Sequence, residues 1–219
     1  SQELLYQLED MKYHLQKMNS RQRKIKIGFA CGVLNLVSLK KLNAIQREMP
    51  DVSVQWEEME NQEVAEQVNR GLLDIGFIIG TIPGNEVESC VVYEGKMNAL
   101  VYPGHPFYEK EKLSIEELKE QPLISLNQMY FSYHSFMQRC GDFGFVPNIV
   151  INTMESQLIY RFCNEKLGLG IDADIHKADR LYPDIRRVEL QDAIPWKVSM
   201  IYRKKEQDRS LVEQLAQIM

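Results

Sequence analysis

The sequence predicts an α/β fold made of two units, and three observations support this prediction. Strand-like and helix-like segments alternate through most of the 219 residues, as they do when helices pack against largely parallel sheets. Residues 72–79 form a near-continuous apolar run, which is typical of a strand covered on both faces. The chain has 44% hydrophobic and 26% charged residues, an ordinary globular composition, and its length allows one large core or two small ones.

Strands and helices alternate regularly in the first half of the chain. Ile25, Ile27 and Phe29 recur at every second position, so they form one face of a predicted strand. A later helix has Asn61 as its predicted N-cap and Gly71 as its predicted C-cap. The predicted elements are strands near residues 24–30, 52–57 and 72–79, and helices over residues 33–49 and 62–70.

The same alternation returns in the second half, which predicts a second α/β unit joined to the first near residue 102. Ser114 and Glu117 form a capping box, the side-chain pattern that opens a helix. Two α/β lobes invite a ligand-binding cleft, and helix N-termini at the ends of parallel strands can hold an anion. Further strands are predicted at residues 97–102, 122–126, 148–152, 187–190 and 197–203 and from residue 168, with helices at 131–142, 155–166 and 208–219.

The first twenty residues predict a helix with an apolar seam. The seam residues are spaced four, three, four and three apart, which is the a/d repeat of a coiled coil that a second helix must cover. The alternative is an amphipathic helix lying on its own domain. Because the seam starts almost at residue one without a preceding cap, we expect that a longer protein contains this chain. The seam consists of Leu4, Leu8, Met11, Leu15 and Met18.

Composition and motifs exclude several classes of function. The net charge of -5 argues against a chain that binds nucleic acid by itself, because phosphates are held mainly by Lys and Arg. No apolar run approaches the roughly 18 residues of a membrane span, no secretory signal opens the chain, and four widely spaced cysteines favour the cytoplasm. No nucleophile elbow, phosphate-binding loop or zinc motif is present. We therefore predict no catalytic residue, no metal, no cofactor and no membrane partner.

Four segments that follow predicted strands favour a binding function. Each places small or hydrogen-bonding residues where a helix begins, so a ligand could approach the backbone there. Helix capping explains any one of them as well as ligand contact does. Together they favour a site. The segments are residues 30–35, 79–81, 125–128 and 152–154.

Several motifs together resemble the regulatory part of a LysR-type transcriptional regulator, over nearly all residues from 24 to 203. Each motif is weak alone, but they occur in the family's order and with plausible spacing. They are Ile25-Lys-Ile-Gly-Phe, the acidic strand end, helix and G-x-L-D strand of residues 58–75, His105-Pro106, Leu113-Ser-Ile-Glu-Glu-Leu with Gln121-Pro-Leu-Ile, and Lys166-Leu-Gly-Leu-Gly-Ile.

This resemblance implies a type 2 periplasmic-binding-protein fold with two Rossmann-like lobes. Residues 1–19 would be the linker and dimerisation helix, residues 24–101 with 201–219 lobe I, and residues 102–200 lobe II. Crossover strands would lie near residues 99–103 and 196–201.

The resemblance also implies partners. A small-molecule effector would bind between the lobes and control DNA binding or transcription through a homodimer or homotetramer. DNA would be bound by a winged helix-turn-helix domain that precedes residue 1 and is absent from this chain. Carried over residue by residue, the effector contacts are Cys31, Gly32, Val33, Thr81, Ser125, Asn127, Thr153 and Met154.

The predicted helix over residues 33–49 has a wide apolar stripe. A deeply buried helix and a dimer face both explain such a stripe. The resemblance places this helix at the subunit interface, which favours the second explanation. The stripe comprises Val33, Leu36, Leu39, Leu42 and Ile45, of which Leu36 and Leu39 join the seam as predicted interface residues.

One departure from the family pattern and two alternatives remain. Asp172 stands where the family has small and apolar residues, and it should be solvated or paired because an unpaired buried carboxylate is costly. Such a carboxylate would reject anionic effectors or bind a cationic one. A free-standing solute receptor would share the fold. A redox sensor of the same family would need Cys140 and Cys163 to be brought together.

Overall fold

The computed structural model describes residues 23–49, 52–81, 86–173, 181–192, 195–204 and 209–217. The chain divides into two compact units. Unit 1 comprises the described residues up to Val92 and those from Val198 onwards, and unit 2 comprises Tyr93–Lys197. The predicted linker helix, with its five seam residues, lies outside the described residues.

Unit 1 is built on a five-stranded sheet with the order β2-β1-β3-β11-β4. The strand β1 is parallel to both of its neighbours, β2 and β3, whereas β11 is antiparallel to β3. The carboxyl ends of β1, β2 and β3 therefore lie at the same edge of the sheet. The elements are β1 Arg23–Ala30, α1 Leu39–Glu48, β2 Val52–Met59, α2 Asn61–Arg70, β3 Ile75–Ile79, β4 Val87–Gly95, β11 Trp196–Arg203 and α5 Arg209–Ala216.

The helix α2 packs closely on β3, and Gly76 permits this approach. A Cβ atom at Gly76 would lie 2.6 Å from a methyl carbon of Val64 and 2.9 Å from one of Val68. Gly71 ends the same helix with a φ of 75°, a left-handed conformation that suits glycine. The predicted C-cap is thus confirmed.

Two local predictions in unit 1 are wrong. The predicted helix over residues 33–49 is a 3-10 turn at Val33–Leu36 followed by α1, because Val37 is extended and the Ser38 hydroxyl accepts a hydrogen bond from the Lys41 amide (3.4 Å). Asn61 is not the N-cap of α2, since that position belongs to Glu60 and makes no side-chain capping bond. The sequence analysis also missed β4 altogether.

Unit 2 is built on a six-stranded sheet with the order β6-β10-β5-β9-β7-β8. Phe136 of α3 lies in one core cluster and Tyr160 of α4 lies in another, so the two helices cover different parts of the sheet surface. The strands β7, β8 and β9 are mutually parallel, as predicted for a second α/β unit. The elements are β5 Met97–Val101, β6 Lys112–Leu113, β7 Leu123–Leu126, α3 Phe131–Asp142, β8 Ile149–Thr153, α4 Ser156–Asn164, β9 Leu169–Ala173 and β10 Arg186–Leu190.

The predicted capping box begins only a short 3-10 turn. The Ser114 amide donates to Glu117 Oε2 at 2.9 Å, and the helix is a single 3-10 turn, Glu116–Leu118. Hydrogen bonds from Lys110 and from the Ser114 backbone lower the pKa of the Glu117 carboxyl group.

The chain passes between the units in β4 and β11. The first passage follows Val92, upstream of the expected residue 102, because β5 pairs with β9 and β10 and so belongs to the second sheet. The second passage follows Lys197 inside β11, within the range expected for a crossover strand.

Candidate functional site

In unit 1, Cys31 and Thr81 follow the carboxyl ends of two adjacent parallel strands, β1 and β3. The Cys31 amide donates to the Met59 carbonyl oxygen at 3.0 Å, and the Cys31 thiol donates to the same oxygen at 3.3 Å. Both bonds tie the loop after β1 to the end of β2. Thr81 is exposed. The structure therefore brings these two predicted residues to one edge of the sheet.

Gly32 is held by a carboxylate of the chain itself. Its amide donates to Glu58 Oε1 at 2.7 Å, and its φ of 89° is a left-handed conformation. The Gly32 carbonyl oxygen accepts from the Asn35 side-chain amide at 3.1 Å. The backbone donor that could have bound an anionic ligand is thus already used by Glu58, a residue that the sequence analysis had assigned only to an acidic strand end.

Acidic residues influence the electrostatics of this loop. Burial raises the pKa of the Cys31 thiol, and the nearby carboxylates of Glu58, Glu60 and Glu63 raise it further. The thiol is therefore protonated at neutral pH and is a poor nucleophile. Val33 is fully buried, so its side chain belongs to the core of unit 1 rather than to an accessible surface.

The end of β3 is fixed by side chains from two other elements. The Ile79 amide donates to Asn61 Oδ1 at 2.7 Å, and the Asn61 side-chain amide donates to the Ile79 carbonyl oxygen at 3.0 Å. The Ser199 hydroxyl donates to the Gly80 carbonyl oxygen at 2.7 Å. These bonds fix the backbone position of Ile79 and Gly80, the two residues before Thr81. Sequence reasoning missed this use of Asn61, because a residue before an apolar helix face is normally interpreted as a cap.

In unit 2, Asn127 directly follows β7, and Thr153 is the last residue of the parallel strand β8. The Asn127 amide donates to the Thr153 carbonyl oxygen at 2.9 Å. Asn127 Oδ1 accepts from the Met129 amide (3.0 Å), and Thr153 Oγ1 accepts from the Glu155 amide (3.1 Å). These two side-chain oxygens stabilise the turns that follow β7 and β8. The Asn127 side-chain NH2 group and the Thr153 hydroxyl hydrogen remain chemically capable of donating further hydrogen bonds.

Ser125 and Met154 complete the predicted set. Ser125 is only 3% exposed. Met154 is 57% exposed, and its carbonyl oxygen accepts from the Tyr130 hydroxyl at 2.5 Å. A hydroxyl and an exposed thioether are groups that can contact the polar and the apolar part of a small molecule.

Asp172 lies inside unit 2. It is 3% exposed and stands opposite Asn98 on β5. Solvation of its carboxylate, one of the two arrangements expected from the sequence, is therefore excluded.

The two cysteines that a redox mechanism would need are not brought together. Cys140 and Cys163 lie in different core clusters, and burial raises the pKa of each thiol to about 12. The Cys163 thiol donates to the Leu100 carbonyl oxygen at 3.2 Å. Neither has the low pKa or the accessibility of a redox-sensing cysteine.

The apolar stripe of the predicted helix divides into a buried and an exposed part. Leu42 and Ile45 are buried in unit 1, whereas Leu36 is partly exposed and Leu39 is 62% exposed. Trp56 on the edge strand β2 is 44% exposed, although its ring contacts Phe29 edge to face. Trp56 was not predicted as a surface residue, because its alternation with polar residues is typical of a buried strand face.

The described ranges contain neither a candidate membrane-spanning helix nor a candidate metal cluster. None of the helices in these ranges is long and apolar enough to cross a membrane. The same ranges contain no group of three or more His, Cys, Asp or Glu side chains placed to hold a metal ion.

Curated relatives of this chain are transcriptional regulators. The chain is 26% identical over 191 residues to the uncharacterized HTH-type transcriptional regulator YwbI of Bacillus subtilis, covering 85% of this chain and 62% of YwbI. It is 24% identical over 126 residues to the HTH-type transcriptional regulator AlsR of Bacillus subtilis, covering 57% of this chain and 42% of AlsR. The chain thus spans about three-fifths or less of these relatives.

Solved structures share the fold. Full-length BenM carrying E226K superposes with a TM-score of 0.76 at 18% identity, covering 97% of this chain and 71% of that one. The BenM effector-binding domain with its effector benzoate has a TM-score of 0.74 at 20% identity, covering 91% and 93%. HinK, a LysR family regulator from Pseudomonas aeruginosa, has a TM-score of 0.73 at 19% identity, covering 98% and 74%. These neighbours confirm the predicted type 2 periplasmic-binding-protein-like fold.

The family itself is shown by sequence. The family model described as "LysR substrate binding domain" matches residues 19–219, which is nearly the whole chain. The chain belongs to the LysR substrate-binding domain family.

Proposed function

We propose that the complete protein is a LysR-type transcriptional regulator and that this chain is its effector-sensing part. One observation carries the proposal: in a chain of this family, predicted contact residues follow the ends of parallel strands in both units. These residues offer hydroxyl, thiol and amide groups, which select small polar molecules by hydrogen bonding.

Binding, rather than catalysis, suits the chemistry of these residues. The Cys31 thiol is protonated at neutral pH, and the side-chain oxygens of Asn127 and Thr153 accept bonds from backbone amides. Such groups hold a ligand but do not supply a strong acid, base or nucleophile. BenM, a protein of the same fold, has benzoate, a small molecule, as its effector.

The proposed mechanism is a shift between two arrangements of the regulator. An effector that binds one arrangement more tightly than the other raises its population, and the DNA-binding domains would follow. Those domains would lie outside this chain, in a region that corresponds to the additional length of its curated relatives. Because the regulator acts on DNA, we assign it to the cytoplasm.

Self-association would couple the effector to DNA, and the exposed residues of unit 1 suggest where it occurs. Leu39 and Trp56 expose apolar surface, and the seam of residues 1–19 needs a second helix. We expect Leu39→Glu to shift the chain towards monomer in light scattering after gel filtration. The matched control is Leu167→Glu, an exposed leucine in unit 2. An unchanged mass for Leu39→Glu would remove this face from the interface.

Effector binding can be tested by thermal shift with a metabolite library. A ligand that binds only the folded chain must raise its melting temperature, by an amount that grows with ligand concentration. We expect Ser125→Ala or Asn127→Ala to weaken the binding of a hit about tenfold, which is the effect of losing one hydrogen bond. Ser89→Ala and Asn164→Ala, at exposed positions, should leave it unchanged.

Two results of this test would contradict the proposal. One is a library in which no compound stabilises the chain. The other is a set of hits whose affinity is indifferent to both site variants, since such compounds would bind elsewhere.

A further inference from the structure

We propose that the unit 1 part of the effector site selects a positively charged or hydrogen-bond-donating group and disfavours a carboxylate, and that Glu58 determines this preference. The inference rests on the proposed function, because it concerns the ligand of that same site. It concerns only the loop that follows β1 and the strand end beside it.

The first argument is the hydrogen bond at Gly32. A backbone amide after a parallel strand is a common anion donor. Here that amide donates to Glu58 Oε1 at 2.7 Å, while the Cys31 amide donates to the Met59 carbonyl oxygen. Two successive backbone donors of the loop are therefore satisfied within the chain. An incoming anion would have to displace a carboxylate from one of them.

The second argument is the charge of the surroundings. Glu58 is exposed, so its second carboxylate oxygen can accept a bond from a ligand. Glu60 and Glu63 lie close enough to act on the Cys31 thiol. The two strand-end segments of unit 1, residues 30–35 and 79–81, contain no Lys or Arg to compensate. A negatively charged surface of this kind attracts cations and repels anions.

Two thiols of the chain can report the electrostatic potential near Glu58. Cys31 and Cys90 are both half-buried thiols of unit 1. Burial raises the pKa of both, but nearby carboxylates raise the pKa of Cys31 only. Cys140 and Cys163 contribute little background, because they are fully buried with pKa values of about 12. The local potential at the site can therefore be measured before any effector is known.

The experiment compares two thiol reagents of opposite charge on the unmodified chain. Aminoethyl methanethiosulfonate is cationic and sulfonatoethyl methanethiosulfonate is anionic, and each forms a mixed disulfide with a thiolate while methanesulfinate leaves. Peptide mapping by mass spectrometry gives both rates at Cys31 and at Cys90 at low ionic strength. The cation-to-anion rate ratio does not depend on how much thiolate is present, so it reports the field alone.

We expect this ratio to be about tenfold higher at Cys31 than at Cys90, which is at the lower end of electrostatic focusing in clefts. Added salt should reduce the difference, since Glu58 is exposed to solvent. Glu58→Gln should remove most of it, because the glutamine keeps an acceptor for the Gly32 amide but has no charge. Glu48→Gln, at an exposed glutamate of α1 that raises the pKa of neither thiol, is the control and should have no such effect.

Equal ratios at Cys31 and Cys90, a preference for the anionic reagent at Cys31, or an unchanged ratio in Glu58→Gln would each overturn the inference. An anionic effector held at the β1 end would also overturn it, while the proposed sensing function would stand. Conversely, a library without hits would weaken the sensing function and leave the measured charge preference intact.

Discussion

Asn61 supports the strand end beside the candidate site, and its replacement provides the sharpest test of the reasoning about unit 1. In Asn61→Ala, the Ile79 amide loses its acceptor at 2.7 Å and the Ile79 carbonyl oxygen loses its donor at 3.0 Å. Ile79 is a buried residue, so water replaces these partners poorly. The substitution should therefore destabilise unit 1 much more than a surface substitution does.

The magnitude follows from the two bonds. Each net hydrogen bond contributes about 0.5–1.5 kcal/mol, and a buried backbone group left without a partner costs about 1–3 kcal/mol. Because the Asn61 side chain is only partly buried, some water will reach the vacated position. We expect a loss of about 2–4 kcal/mol in the free energy of unfolding. Asn61→Asp keeps the acceptor and loses the donor, so its loss should be intermediate.

Urea denaturation measures this loss as a lower midpoint at an unchanged slope. Asn164→Ala, at the exposed end of α4, is the matched control and should change stability by less than about 0.5 kcal/mol. Hydrogen exchange at the Ile79 amide should accelerate in Asn61→Ala. A loss no larger than that of the control, with unchanged exchange at Ile79, would refute the assigned role of Asn61.

Three further predictions concern unit 2. Gly170→Ala should destabilise the fold by about 1–3 kcal/mol, because the new Cβ would lie 2.7 Å from an Ile159 methyl carbon. Gly141→Ala on α3 is the control and should not destabilise the fold, because its Cβ meets nothing within 4 Å. Calorimetry of the two variants checks both expectations. Cys140 and Cys163 should resist iodoacetamide at pH 8 until the chain is unfolded, since thiols with a pKa of about 12 are almost fully protonated there. Glu117→Gln should reduce stability at neutral pH but not in acid, because folding lowers the pKa of this carboxyl group. The stabilisation that it contributes is therefore present above the unfolded pKa and is lost as the pH falls through the folded pKa. Urea midpoints measured from pH 3 to pH 7 would reveal this convergence, and a constant difference would contradict it.

Most elements could be predicted from periodicity, because burial on one side of a strand or helix leaves a repeat in the sequence. The failures were local. The helix predicted over residues 33–49 runs across Ser38, but Ser38 caps α1 because the backbone at Val37 is extended rather than helical. The strand β4 was missed at a sheet edge, where only weak burial constrains the side chains.

The candidate site was only partly predictable. Ser125 and Thr153 lie at the carboxyl ends of strands that were predicted from the sequence, and Asn127 follows the first of them. The parallel pairing of these strands brings the three residues to one edge of the sheet. Val33 was included for its position, but its side chain faces the core. The hydrogen bond between the Gly32 amide and Glu58 joins residues 26 positions apart. No local pattern marks which acidic residue of the cluster will accept this bond.

The sequence by itself determined the α/β class, the family and the strand ends that carry the candidate contacts, because these depend on periodicity and on motifs close along the chain. Only the tertiary structure decided how those contacts are used. Asn61 holds Ile79 rather than capping α2, Glu58 accepts the hydrogen bond of the Gly32 amide, and the four cysteines are free thiols with raised pKa values. The physical reason is that hydrogen-bond partners and desolvation are set by residues distant in sequence, which only folding brings together.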